Sequence, residues 1–285
     1  FGKSTIGLTA LGPTYMLIHV ASLSDTSVVA AFVNSTNSDL YAVAGTVSNN
    51  VVTWGTPVAV HVSTFSNIVR VVALSSTTGI IAGSTTTPTI TPYGFSVSGN
   101  TITLSPTGTT FGGSVRELVK LDSTRALFLY SGGTRVITYN GVSVGPTVGT
   151  AVSDGVSGRA QAVFLDTDKV VYADPVSNLI RVASVSGTTV AIGTQLTFTQ
   201  GDASILWTSL AAADFAFNAN SLVALSTTSV ALISFGYPYL CMQIFNISGT
   251  TISYSGALYT DISEILKNQL FLNQYIRSNI LLNQY

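Results

Sequence analysis

"SVSGTTVAIGT" occupies residues 184–194, and the chain repeats it closely 62 residues later as "NISGTTISYSG" at 246–256. In both copies a β-branched run enters a turn of Ser, Gly and Thr, and a second alternating run leaves it. Glycine belongs at such a turn because tight hairpin geometry needs a positive φ. Three relatives complete the set: "TVSNNVVTWGT" (46–56), "SVSGNTITLSP" (96–106) and the shorter "TYNGVSVGP" (138–146). Aligned on Asn49, Gly99, Gly141, Gly187 and Gly249, they are spaced by 50, 42, 46 and 62 residues.

A second element alternates with these hairpins. It reads "VASLSDTSVVAAF" (20–32), "VVALSSTTGIIAG" (71–83), "LVKLDSTRALFLY" (118–130), "AVFLDTDKVVYAD" (162–174) and "LVALSTTSVALIS" (222–234). Leu23, Leu74, Leu121, Leu165 and Leu225 mark one register, spaced by 51, 47, 44 and 60 residues. Each copy is an apolar strand, a turn of Ser, Asp and Thr, and another apolar strand. Side chains of Asp and Ser suit such turns because they bond neighbouring backbone amides. One unit is therefore two hairpins, or four short strands, the content of a β-propeller blade. A lone four-stranded sheet has two faces to cover, and stacking blades around an axis covers both.

The sequence thus predicts an all-β fold, a β-propeller of about five four-stranded blades. Another β-repeat array is the alternative: a solenoid wants a shorter, stricter period, and five units do not divide into two-unit sandwich modules. The segment "ILWTSLAAADFAFNAN" (205–220) enlarges the fifth unit and leaves room for a sixth blade. The expected organisation is an N-terminal segment for ring closure or linkage (1–13), the propeller repeats (14–260) and a C-terminal segment (261–285).

Composition narrows the function classes. Of 285 residues, 46% are hydrophobic, so a sizeable core is available, yet only 8% are charged. That is about a third of the usual share, so Ser, Thr, Asn and Gly must supply the polar surface. A net charge of −1 with no basic block argues against nucleic-acid binding by phosphate neutralisation. Mean hydropathy is high at +0.49, but no apolar run is long enough to cross a bilayer as a helix. Cys241 stands alone, which excludes an intrachain disulfide and a zinc constellation.

After Thr260 the language changes to "DISEILKNQLFLNQYIRSNILLNQY" (261–285), without Gly. Asp261 followed by Glu264 resembles a capping box, and Ile262, Ile265, Leu266 and Leu270 form one helical stripe. A C-terminal helical tail is the expectation. Beyond Leu270, "LFLNQY" recurs as "ILLNQY" ten residues later, in phase on a strand and out of phase on a helix. Leu266, Leu270, Phe271, Tyr275, Leu281 and Tyr285 are the candidate partner contacts, either with the chain's own propeller or with a neighbouring subunit.

Candidates for chemistry are few. His19 in "YMLIHVASL" and His61 in "VAVHVSTF" sit in strand-like apolar runs and read as satisfied core or blade-edge residues. Neither has metal ligands at suitable spacing. Asp166 and Asp168 in "DTD" resemble the carboxylate pair of glycosyl transfer, but Asp166 falls at the turn position filled by Ser24, Ser75, Asp122 and Ser226 elsewhere, so a turn role is read. Arg116 and Arg159 precede the first strand of successive units, with Arg70 close by. They read as blade-edge charges, with a face toward an anionic partner as the alternative. No nucleophile elbow or phosphate loop is present. Catalytic residues, metal ligands and cofactors are accordingly not assigned, and the chain is read as not an enzyme.

The joined "VSGTTV" and "LSTT" repeats resemble the Ser/Thr-rich propeller-like repeats of phage tails and fibres and of bacterial surface proteins. That resemblance implies a structural or adhesive component, extracellular or virion-associated. It would bind other subunits through its C-terminal segment, or a carbohydrate or host-surface ligand, with no membrane span. A glycan-acting propeller enzyme and a filament subunit using both ends for contacts are the alternatives.

Overall fold

The computed structural model describes residues 15–261, apart from 35, 50, 62–64, 156–159, 167, 175–178, 198–220 and 237–238. The described residues contain 23 strands, arranged as five antiparallel sheets in chain order. The first sheet holds β1 (Tyr15–Ser24), β2 (Ser27–Asn34), β3 (Leu40–Ser48) and β4 (Val51–Trp54), with β5 (Val58–His61) also paired to β3. The second holds β6 (Phe65–Ala73), β7 (Thr78–Thr85), β8 (Thr89–Ser98) and β9 (Thr101–Thr107), with β10 (Phe111–Gly112) on β8. The third is β11 (Val115–Lys120), β12 (Arg125–Tyr130), β13 (Gly133–Thr138) and β14 (Thr147–Val148). The fourth is β15 (Gln161–Asp166), β16 (Lys169–Asp174), β17 (Leu179–Ser186) and β18 (Thr189–Ile192), with β19 (Leu196–Thr197) on β17. The fifth is β20 (Ser221–Ser226), β21 (Ser229–Gly236), β22 (Tyr239–Ser248) and β23 (Thr251–Asp261). These are the five expected blades of a β-propeller.

Each repeated sequence element has one structural job. The Ser/Asn/Gly hairpin joins the third and fourth strands, and its aligned turn residues Asn49, Gly99, Gly141, Gly187 and Gly249 all take positive φ, between 49° and 91°. The third copy departs from the expected tight hairpin. There "TYNGVSVGP" forms a loop in which the Asn140 side-chain amide donates to Gly145 O at 3.2 Å. The fourth strand there shrinks to Thr147–Val148.

The leucine element joins the first two strands through a β-bulge. Leu74 and Ser75 both donate to Thr78 O, at 2.9 and 3.2 Å, and Leu121 and Asp122 both donate to Arg125 O at the same distances. A bulge places two residues against one and re-aims the side chain. Leu23, Leu74, Leu121 and Leu165 are thereby turned onto the following blade, at the inner joint.

Alternation along the first strand decides the rest of that joint. Leu23 and Ala21 pack with Val69 and Val71 of the second blade. Leu74 and Val72 meet Val115 and Leu118 of the third. Leu121 and Val119 meet Ala160 and Ala162 of the fourth, and Leu165 and Val163 meet Leu222 of the fifth. Full burial of such a side chain is worth about 1.5–3 kcal/mol. The hairpin pairs Val97–Ile102, Val185–Val190 and Ile247–Ile252 are buried in the same clusters, against the preceding blade.

An outer joint repeats too. Gly55, Gly149 and Gly193 each donate at 2.8 Å to the third strand of their own blade, at Ala44, Val136 and Val182. A Cβ added at Gly55 would lie 2.0 Å from Asn100 O, and one at Gly193 would lie 2.1 Å from Thr250 O. Those oxygens belong to the next blade's hairpin turn, so the backbones meet where a side chain has no room.

β23 continues through Asp261, which pairs with Tyr239, so Asp261 is a strand residue of the fifth blade rather than the expected helix cap. The expected helical tail with its contacts Leu266, Leu270, Phe271, Tyr275, Leu281 and Tyr285 lies outside the described residues, as do segment 1–13 and the 205–220 insertion.

Gly193→Ala should destabilise the protein by about 1–3 kcal/mol, the usual cost of overpacking. Gly256→Ala, where an added Cβ meets nothing within 4 Å, should stay within about 0.5 kcal/mol of wild type. Urea unfolding of the pair checks this, and equal midpoints would contradict the outer joint.

Candidate functional site

The first strands of adjacent blades touch in succession, β1 to β6, β6 to β11, β11 to β15 and β15 to β20, as strands nearest a propeller axis must. Four residues before the repeat leucine, each of these strands carries a polar residue: His19, Arg70, Glu117, Gln161 and Ser221. The site is built on the strand alternation described above: in the first two blades this residue reaches the following blade, His19 to Val71 and Arg70 to Glu117. Register shifts lie next to it in three blades, at Met16/His19, Phe65/Val69 and Val115/Glu117.

The described contacts run from blade to blade. Val71 N–H on β6 donates to Nδ1 of His19 on β1 at 3.3 Å. Arg70 on β6 pairs through Nε with Glu117 Oε1 on β11 at 3.2 Å, and its Nη1 donates to Val69 O at 3.1 Å. Glu117 Oε1 also accepts from Leu118 N–H at 3.0 Å. Burial, reinforced by the Arg70 charge, lowers His19 from 6.5 to about 4, so its imidazole is neutral at pH 7 and its Nδ1 is free to accept. Burial raises the Glu117 carboxyl above its ordinary value, an effect that Arg70 and the Leu118 amide oppose.

His61, the second histidine of the sequence reading, sits apart at the outer strand β5. Its Nδ1 bonds the Tyr93 hydroxyl of the second blade. Burial lowers the His61 pKa while Asp39 raises it, and burial lifts the Tyr93 phenol to about 12. A further buried polar group lies between the third and fourth blades, where the Thr134 hydroxyl donates to Asp154. Burial and the Asp154 charge raise the nearby Tyr172 phenol, against an opposing pull from Arg181.

Asp166 and Asp168 take the turn role expected from their position. Asp168 N–H donates to Asp166 Oδ1 at 3.3 Å, and Lys169 Nζ bridges both carboxylates at 3.1 and 3.3 Å. Asp122 does the same for the third blade, accepting from Thr124 N–H at 2.7 Å and Arg125 N–H at 2.8 Å. Burial alone would raise its carboxyl, but those hydrogen bonds hold it down at about 2. The arginines correct the edge reading: Arg70 and Arg116 stand within β6 and β11, and Arg70 is spent on an inter-blade ion pair. Arg159 lies outside the described residues.

The structure thus brings together His19, Arg70 and Glu117, which the sequence reading had not joined. The signal was available, because aligning the five leucines also aligns the five polar residues four positions earlier. Among the described residues, no three His, Cys, Asp or Glu side chains are grouped to hold a metal ion.

The sequence matches no protein-family model and no curated protein. Among solved structures, a 6-phosphogluconolactonase candidate from Bacteroides uniformis superposes with a TM-score of 0.57 at 12% identity, over 84% of this chain and 70% of that one. A protein from Lactobacillus plantarum gives 0.56 at 12% identity, over 83% and 69%. Sqt1 from Chaetomium thermophilum gives 0.54 at 12% identity, over 86% and 61%. At that identity the likeness shows the propeller fold alone.

Acidification should expose the state of His19. The unfolded chain takes up a proton near pH 6.5 that the folded chain refuses until about pH 4, so stability falls as pH drops through that window. The raised Glu117 carboxyl works in the opposite sense, favouring the folded state as pH falls. The comparison is therefore wild type against His19→Gln, which keeps Glu117. The variant should lose less stability between pH 6.5 and 4, and NMR titration should place His19 near 4. Parallel stability curves would contradict the buried neutral imidazole.

Proposed function

We propose that this propeller is a non-enzymatic structural or adhesive component of an extracellular or virion assembly, binding a partner subunit or a host-surface carbohydrate. The observation that carries this reading is the Arg70–Glu117 ion pair between β6 and β11. Among the described residues, Glu117 is the one carboxylate at the axial position, and it ties two blades together. Asp122 and Asp166 are likewise committed to turns. A glycan-cleaving site needs two carboxylates facing one bond, whereas these three lie on separate structural duties.

The surface supports contact with neutral partners. Ser98 and Thr101, Ser186 and Thr189, and Ser248 and Thr251 are exposed beside the hairpin turns of three blades. Hydroxyls both donate and accept, which suits sugar hydroxyls and the polar rims of other subunits. The apolar C-terminal residues, Leu266 and Leu270 foremost, are assigned to a neighbouring subunit on the strength of their sequence.

Glu117→Ala should lower stability by roughly 1–3 kcal/mol, because it leaves the Arg70 guanidinium half-buried without its partner. Retention on immobilised glycans should not change. Turnover of a glycan or a sugar lactone by wild type, abolished by Glu117→Gln or His19→Gln, would overturn the reading in favour of a glycan-acting enzyme.

A further inference from the structure

Four of the five hairpins place a serine just before the turn residue of positive φ: Ser48, Ser98, Ser186 and Ser248. The third unit places an asparagine there, and Asn140–Gly141 is the one Asn-Gly step in the chain. Each of the four serines is held in a ladder, paired across its turn with Val51, Thr101, Thr189 or Thr251. Asn140 has no such partner, because β13 ends at Thr138 and β14 begins only at Thr147.

The surroundings leave this step open to reaction. Asn140 is exposed, Gly141 has a φ of 91°, and a Cβ added there would meet nothing within 4 Å. Among the described residues, the Gly141 N–H donates to no acceptor. A glycine nitrogen without a ladder bond or a flanking Cβ is well able to reach the carboxamide of the residue before it. That carboxamide is tethered through Nδ2 to Gly145 O at 3.2 Å and to Thr147 Oγ1 at 3.3 Å, both at the long end of the hydrogen-bond range.

The tethered loop is also part of the outer joint between the second and third blades. A Cβ added at Gly145 would lie 2.3 Å from Thr107 O, and one at Gly108 would lie 2.6 Å from Pro146 O. Backbones therefore meet here as they do at Gly55 and Gly193. We propose that Asn140 is a self-modification site, where spontaneous conversion to aspartate or isoaspartate loosens this joint. The Gly141 nitrogen gives its proton to solvent base and bonds to Asn140 Cγ. The Cγ–Nδ2 bond breaks, and Nδ2 leaves as ammonia. Water then opens the cyclic imide at either carbonyl, so the step needs no oxidant and no cofactor. The new carboxylate cannot donate to Gly145 O and sets a negative charge against that carbonyl. The isoaspartate form also adds a methylene to the main chain inside the joint.

The test is to incubate folded wild type at mildly alkaline pH and digest it with trypsin under mildly acidic conditions. The peptide Val136–Arg159 holds Asn140 as its one asparagine. It should gain the mass of an amide-to-acid exchange with time, resolve into aspartate and isoaspartate forms, and do so faster than Asn34, Asn37 or Asn100 reacts. A peptide that keeps its amide in the folded protein, while the same peptide free in solution converts, overturns the proposal. The urea midpoint of wild type should fall during the incubation, and that of Asn140→Ser, which carries the residue of the other four turns, should hold. Asn140→Asp, made directly, should unfold at lower urea than wild type from the start. Equal midpoints for Asn140→Asp and wild type would overturn the link between the modification and the joint.

Discussion

A four-stranded sheet that is apolar on both faces is unstable alone, and everything else in this protein follows from how that problem is met. The bulged leucine is the device. It adds one residue at the end of the first strand, so that Leu74 and Ser75 share a single acceptor in Thr78, and it seats the side chain against the following blade. The preceding residues alternate between the two neighbours, so one short strand stitches three sheets together. Val119 and Leu121 belong to one core cluster while Leu118, between them, belongs to another.

The outer joint is of a different kind. At Gly193 the constraint is closeness of backbone, with the Thr250 carbonyl where a Cβ would stand. The inner joint thus draws on burial of large side chains, and the outer one on the absence of any. Wedge-shaped blades need both, because a stack converging on an axis cannot keep equal spacing at its two edges.

Much of this was legible in the sequence, and the reason is physical. The turn glycines announce themselves because few residues tolerate positive φ, and all five aligned positions adopt it. The leucine register was equally visible, since one residue type recurs beside a Ser/Asp/Thr turn. What escaped was the meaning of the leucine, because a bulge is a hydrogen-bonding event and leaves no compositional mark. The third hairpin is less legible: alternation in Val142–Val144 suggests an exit strand, whereas Asn140 closes that stretch as a loop onto Gly145 and the fourth strand begins only at Thr147. Read one strand at a time, His19 is a core or blade-edge histidine and Arg70 an edge charge. Their relation appears only when the first strands are set side by side, because their partners come from different blades and lie about fifty residues apart in the chain.

The location of those polar residues also bears on how the blades find their order. Apolar joints built from Leu, Val and Ala are nearly interchangeable, so burial alone does not fix which blade sits beside which. A half-buried charge does discriminate, because a wrong neighbour leaves it desolvated and unpaired. Arg70 fits beside Glu117, and neutral His19 accepts the Val71 amide, so each of these contacts marks one particular pair of blades. In a chain where 8% of residues are charged, placing an arginine and a glutamate in the strands nearest the axis argues that their work is to specify the stack. The leucines make the blades adhere, and the axial polar residues make adjacent ones distinct.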